Sequence, residues 1–159
     1  GTVGQHTVGN LLVHDTYGPH QRLTFGRKTL EQLDNVQGDD WDGSQYIRII
    51  HSIFPNLSIS GIIGGHCLVS QVFPGESANS TITRQTLLCA ERPETEAQMA
   101  AARQFSAMTL QAVRDEDYVI AGSIQRALGA GANTHFVIGR NEPGLQHFHR
   151  SVARFMQDA

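Results

Sequence analysis

Apolar and polar positions alternate most clearly between Gln45 and Cys89. Tyr46 to Phe54 (YIRIIHSIF) is rich in Ile and aromatic residues and stops at a Pro55-Asn56 turn. Leu57 to Ile63 (LSISGII) alternates with period two, Leu57, Ile59 and Gly61 on one side, Ser58, Ser60 and Ile62 on the other. After Gly64-Gly65, His66 to Phe73 (HCLVSQVF) runs to Pro74-Gly75, and Ser80 to Cys89 (STITRQTLLC) makes a further strand. Nearer the start, Gly9 to Tyr17 and His20 to Phe25 read as strands either side of a Gly18-Pro19 turn. Strands in series joined by tight turns predict an antiparallel meander rather than βαβ units. Between them, Thr29 to Leu33 reads as a short helix, and the Asp- and Gly-rich stretch from Asp34 to Ser44 as an exposed loop.

Beyond Arg92 the period becomes helical. Pro93, Glu94 and Glu96 suit a helix start, because Pro is preset for a first turn and carboxylates favour the positive end of the helix dipole. Glu96 to Val113 is Ala-rich, with Met99, Ala102, Phe105 and Thr109 at helical spacing. A second run, Glu116 to Leu128, sets Val119, Ile120, Ser123, Ile124 and Leu128 along one stripe, and Gly129-Ala130-Gly131 ends it. Thr134 to Ile138 is a short strand or an extended link. Gly144 to Met156 is a last amphipathic helix with Leu145, Phe148, Val152 and Phe155 expected inward. The pattern is a single α+β domain over residues 1–159, its sheet burying one face against helices.

Composition narrows the function. Of 159 residues, 40% are hydrophobic and 17% charged, which supports a globular core. A net charge of -3 with scattered basic residues gives no electrostatic case for nucleic acid or an anionic membrane. No apolar stretch approaches the roughly 18 residues of a membrane span. The first ten residues lack the basic and apolar regions of a signal peptide and an initiator Met, so the true start is expected upstream and the location cytoplasmic. Cys67 and Cys89 lie in apolar runs; they are either reduced thiols or a pair. No phosphate-binding glycine loop, Cys-x-x-Cys pair or serine elbow is present.

The chemistry-bearing residues are acids and histidines. Arg114-Asp115-Glu116-Asp117 stands ahead of the second helical run, where its carboxylates either cap that helix or serve a site. His147 and His149 look like a metal pair, but residues two apart on a helix point about 200° apart. His20 suits a turn-stabilising hydrogen bond. His51 and His66 sit in strand-like runs and either face a cavity or are satisfied within the core. The spacing of His6 and His14 fits neither a helix face nor a chelating motif.

Three stretches together resemble a known family. Asp117, followed eight positions later by Gln125 in Gln125-Arg126-Ala127-Leu128, resembles the segment of Rieske non-haem iron oxygenase α subunits that supplies the carboxylate iron ligand. Tyr17-Gly18-Pro19-His20-Gln21-Arg22 resembles that family's "Tyr/Phe-Gly-Pro-His-x-Arg". Glu142 through Phe148-His149-Arg150 resembles its C-terminal "Glu…Phe-His-Arg…Val" helix, and Phe54-Pro55-Asn56 and Pro74 fall in the corresponding order. The likeness spans almost the whole chain.

That resemblance implies the C-terminal part of a ring-hydroxylating catalytic domain. The implied fold is a helix-grip (Bet v1-like, START-like) sheet curved around a C-terminal helix with a hydrophobic cavity between. Mononuclear Fe(II) would be held by two His and one carboxylate, leaving positions open for oxygen and substrate. Asp117 is the implied carboxylate, with Asp115 as the fallback because the acidic cluster allows a register error of two. The family's Tyr-His-x(4)-His pair does not occur in this chain, and it and the Rieske [2Fe-2S] domain are expected upstream. Family members draw electrons from NAD(P)H through a reductase or ferredoxin, commonly within a homotrimer, and oxygenate aromatic or other small organic substrates. Ile59, Ile62, Val69 and His66 are the expected cavity-lining positions. The rival readings are a metal-free hydrophobic-ligand-binding module of the same fold and a purely assembly role; iron binding by a longer chain separates the first from catalysis, and oxygen uptake the second.

Overall fold

The computed structural model describes residues 7–38, 41–63, 65–131 and 135–157, with side chains from residue 12 onward and without those of residues 61–63. Six strands form one antiparallel sheet in sequence order: β1 (Thr7–Tyr17), β2 (His20–Arg27), β3 (Ile47–Ile53), β4 (Leu57–Ile63), β5 (His66–Pro74) and β6 (Thr81–Cys89). The meander read from the turn residues is therefore present, with more strands than the central block alone suggested. A 3-10 helix (Lys28–Asn35) and the single-turn α1 (Gly43–Tyr46) fill the link between β2 and β3. The helices are α2 (Glu96–Ala112), α3 (Tyr118–Gly129) and α4 (Pro143–Gln157). Residues 136–139 carry no strand and act as the extended link. This α+β arrangement is consistent with a helix-grip-like domain.

Contacts divide the chain into two compact units. One is the helical unit, Cys89–Val137; the other is the sheet together with α4.

In the sheet unit, register assigns side chains to faces, because directly paired residues project to the same side. Asp15 pairs with Arg22, Arg22 with His51, His51 with Ile59 and Ile59 with Val69, so these five share one face. Leu23 and Ile50 pair on the opposite face, as do Ser60 and Leu68. Helix α4 packs on that second face. Its Gly144 is buried there, and a Cβ at this position would stand 3.0 Å from Leu23 Cδ1, so the absence of a side chain lets the helix approach β2 closely. Gln21 Nε2 donates to the Gly144 carbonyl at 3.0 Å. Phe54 then stacks on Phe155 at 5.1 Å and tilts against Phe148 at 5.7 Å between ring centroids.

Of the positions expected inward on α4, Phe148 and Phe155 pack on Phe54 and Val152 is half-buried. Leu145 is 45% exposed, and Gly144 and Ser151 are the buried residues. A glycine carries no hydrophobic signal, so the sequence pattern put Leu145 where Gly144 packs.

At the β1–β2 turn Gly18 adopts φ +61, a conformation suited to glycine. The His20 ring accepts a 3.1 Å hydrogen bond from the Phe54 amide, tying this turn to the β3–β4 turn, which is the turn role expected of it.

In the helical unit, α2 opens with a capping box: Thr95 accepts from the Gln98 amide while the Gln98 side chain accepts from the Thr95 amide. Pro93 thus lies two residues before the cap rather than in the first turn, and Glu96 supplies the first-turn carboxylate. Two separate helices were expected here, with the acidic cluster ahead of the second. Instead α2 runs into a π-helical turn, Val113–Asp117, and on into α3 without a break. The backbone stays right-handed helical at Ala112, Asp117 and Tyr118. No helix among the described residues is long and apolar enough to cross a membrane.

Candidate functional site

The acidic cluster lies on the π turn. Such turns widen the helix locally and recur at functional sites. Because the backbone is helical on both sides, the carboxylates have no helix start to cap, and no side-chain cap hydrogen bond is made at either the π turn or α3. The capping alternative is thereby removed.

The two aspartates differ in what they already bind. Asp115 is exposed and takes a 2.8 Å bond from Arg114 Nε. That hydrogen bond, with the guanidinium charge and a further bond to Gln111, holds the Asp115 carboxyl below the usual aspartate range. Asp117 is also exposed, and it neither caps a helix nor joins an ion pair among the described residues. Of the two, Asp117 is the carboxylate left available to a ligand. Gln125 is half-buried on α3 and is already engaged.

The expected cavity residues do not all meet. Within the sheet unit a hollow of about 440 Å³ is lined by Ile47, Ile49, His51, Ile59 and Cys67, with Ser44 of α1 at its edge. Ile59 lines it, and Val69 shares its face as the direct cross-strand partner. Alternation along β5 places Cys67 with Val69 and turns His66 to the other side. The side chain of Ile62 lies outside the described residues. This hollow lies on the face opposite α4 and also takes in Cys67, Ile47 and Ile49, whereas His66 projects to the α4 side. The signal that would have found them is the period-two offset from Ile59 carried across the register. The thiols of Cys67 and Cys89 are free and half-buried, which settles them as unpaired.

The histidines take separate places. His51 is exposed at the apolar hollow. His147 and His149 point apart as helical geometry requires: His149 is exposed beside Phe148, while His147 meets His14 edge-on with ring centroids 5.8 Å apart. The Nε2 atom of His147 is buried without a hydrogen-bond partner among the described residues. His14 Nε2 bonds Gln21 Oε1 at 2.8 Å. Since the Gln21 nitrogen donates to Gly144, its oxygen must face His14, which fixes that ring as the donor. His6 lies outside the described residues.

Asp15 and Arg22, facing each other across β1 and β2, form a two-point contact: Arg22 Nε and Nη2 reach Asp15 Oδ2 at 3.0 and 2.9 Å. The hydrogen bond to Asp15 raises the Arg22 pKa further. This pair occupies the Asp-Thr-Tyr-Gly-Pro-His-Gln-Arg segment and serves to clamp its hairpin.

Among the described residues no three His, Cys, Asp or Glu side chains come together in a way that could hold a metal ion.

Six antiparallel strands followed by helices among the described residues make this an α+β domain. The chain belongs to the ring-hydroxylating alpha subunit (catalytic domain) family, whose pattern it matches over residues 2–158. The resemblance read from Asp117…Gln125, Tyr17 to Arg22 and Glu142 to Arg150 is thereby established, and with it an oxygenase function in general terms. The family works with mononuclear iron, a Rieske centre and electron-transfer partners. No curated protein and no solved structure matches the chain.

Proposed function

We propose that this chain is the carboxylate-bearing part of a Rieske-type oxygenase catalytic domain, inserting oxygen from O2 into an aromatic or other small apolar substrate. One observation carries the reading: Asp117 is exposed on a π turn with no hydrogen bond or ion pair among the described residues, whereas Asp115 is held by Arg114. A hard anionic oxygen of this kind matches the acid of a facial ferrous site. Asp117 would hold the iron from one side, and its two histidine partners come from a Tyr-His-x(4)-His segment outside this sequence. Bound there, iron supplies the activation of O2.

The remaining roles belong to the protein's own residues. The π turn sets the direction of Asp117 without a cap to divert it. The Arg114–Asp115 pair keeps the neighbouring carboxylate occupied, so a metal meets one free acid rather than two. Within the sheet unit, the hollow of Ile47, Ile49, Ile59 and Cys67 is by itself an apolar surface that would suit a ring and displace water. Electrons would come from NAD(P)H through a reductase or ferredoxin to a Rieske [2Fe-2S] cluster of a neighbouring subunit in a cytoplasmic homotrimer.

Oxygen uptake by the protein carrying its upstream part, supplied with reductase, NAD(P)H and an aromatic substrate, tests this. Uptake that disappears in Asp117→Ala and survives in Asp115→Ala supports the reading. Full uptake in Asp117→Ala overturns the assignment of the ligand, and no uptake in the unaltered protein overturns the oxygenase reading in favour of a metal-free binding module.

A further inference from the structure

The face of the sheet that carries α4 contains a polar rung. Gln21 pairs with Ser52, Ser52 with Ser58, and Ser58 with Ser70, one residue from each of β2 to β5. Paired residues project to the same side, so four hydrogen-bonding side chains stand in a row. Together with Phe54, Val72 and Phe148 they line a second cavity of about 370 Å³ within the sheet unit.

These groups have bonding capacity to spare. None of the three serine hydroxyls finds a partner among the described residues. Gln21 is only 6% exposed, and its amide spends one N–H on Gly144 and one lone pair on His14. A primary amide has two of each, so a buried donor and a buried acceptor are left over at the cavity wall. Water reaches the half-buried serines, so an occupant must bring donors and acceptors of its own to take water's place.

We propose that this cavity binds a neutral hydroxylated ring compound of the sugar or cyclic polyol class. No charged side chain lines it, so neither an anion nor a cation has a counter-charge there. A hydroxyl both gives and accepts, and serines on adjacent strands recur about 4.8 Å apart, comparable with hydroxyls on alternate carbons of a six-membered ring. Phe54 and Phe148 supply the apolar wall for the C–H face of such a ring. The volume is between two and three times the roughly 150 Å³ that admits a benzene, room for one ring with its hydroxyls. A bare hydrocarbon would leave the serine row and the Gln21 amide unanswered.

Saturation-transfer NMR and calorimetry on the intact protein, with myo-inositol and methyl glucoside as probes and toluene and benzoate as controls, test the site. Saturable binding of a polyol probe is expected, weakened about tenfold by Ser58→Val and by Ser70→Val, and kept by Ser58→Thr. The two valine variants act on different strands, so misfolding of one leaves the other to decide. Absence of saturable polyol binding, binding unchanged in both valine variants, or toluene displacing the polyol without dependence on the serines would each overturn the proposal.

Discussion

In the sheet unit, Phe54 lies against both Phe148 and Phe155, Gly144 sits within reach of Leu23, and Gln21 bridges His14 to the α4 backbone. In the helical unit no residue of α2 or α3 is buried, and the stripe of Val119, Ile120 and Ile124 is 59%, 60% and 47% exposed. Order in the first comes from contacts between segments distant in sequence. In the second it comes from local bonds: the Thr95 capping box, the helical ladder and the Arg114–Asp115 pair. The difference bears on function, because the uncommitted Asp117 lies in the locally held unit and both cavities lie in the cross-braced one.

The largest effect is expected where the helical unit meets chemistry. Asp117→Ala should abolish oxygen uptake by a protein joining this chain to the proposed Tyr-His-x(4)-His and Rieske segments while leaving its circular dichroism unchanged, since Asp117 has no structural partner among the described residues to lose. Next comes the aromatic contact of the sheet unit. Phe54→Ala should cost about 3 kcal/mol by urea denaturation, through loss of both ring contacts. Gly144→Val should cost about 2 kcal/mol in the same assay, because its branched side chain meets Leu23 and Gln21. A cost near zero would show that α4 is not seated on β2. Thr95→Ala should cost about 1 kcal/mol, seen as faster amide exchange confined to the start of α2. Spread of that effect into the sheet would blur the distinction between the units.

The smallest effect concerns Asp115. Its carboxyl is held low in the folded chain, so its bond to Arg114 is fully formed at neutral pH and fades only as pH falls through that lowered pKa. Asp115→Asn should therefore leave the urea midpoint at pH 7 within error, being fully solvated. An NMR titration of the Asp115 carboxyl in the unaltered protein should give a midpoint below the ordinary aspartate value.

How much of this was legible in the sequence depended on whether a residue's role follows from its neighbours along the chain. Leu57 to Ile63 alternates with period two, and Gly18-Pro19 and Pro55-Asn56 mark turns, so the meander could be read directly. The serine rung could not: Ser52, Ser58 and Ser70 become neighbours only through strand register. That Cys67 joins Ile47, Ile49 and Ile59 could not be read either, because a strand's two faces look alike until one residue is anchored to a partner strand. On α4 the line of Phe148, Val152 and Phe155 could be read, but Leu145 stood in for Gly144, which packs by having no side chain. The π turn was missed because the acidic cluster reads as a helix start, and nothing in Arg114 to Asp117 signals a widened turn rather than a cap. The segment from Asp117 to Gln125 was legible as a family stretch through their separation, and the family match covers it.

Elemental iron content bears most directly on the claim that Asp117, and not its neighbour, is the acid that holds the metal. A protein joining this chain to the proposed Tyr-His-x(4)-His and Rieske segments, after reconstitution with ferrous iron, should keep its mononuclear iron in Asp115→Ala and lose it in Asp117→Ala, any cluster iron being counted separately by its absorption. Equal mononuclear iron in the Asp117→Ala protein and the unaltered one would contradict the account.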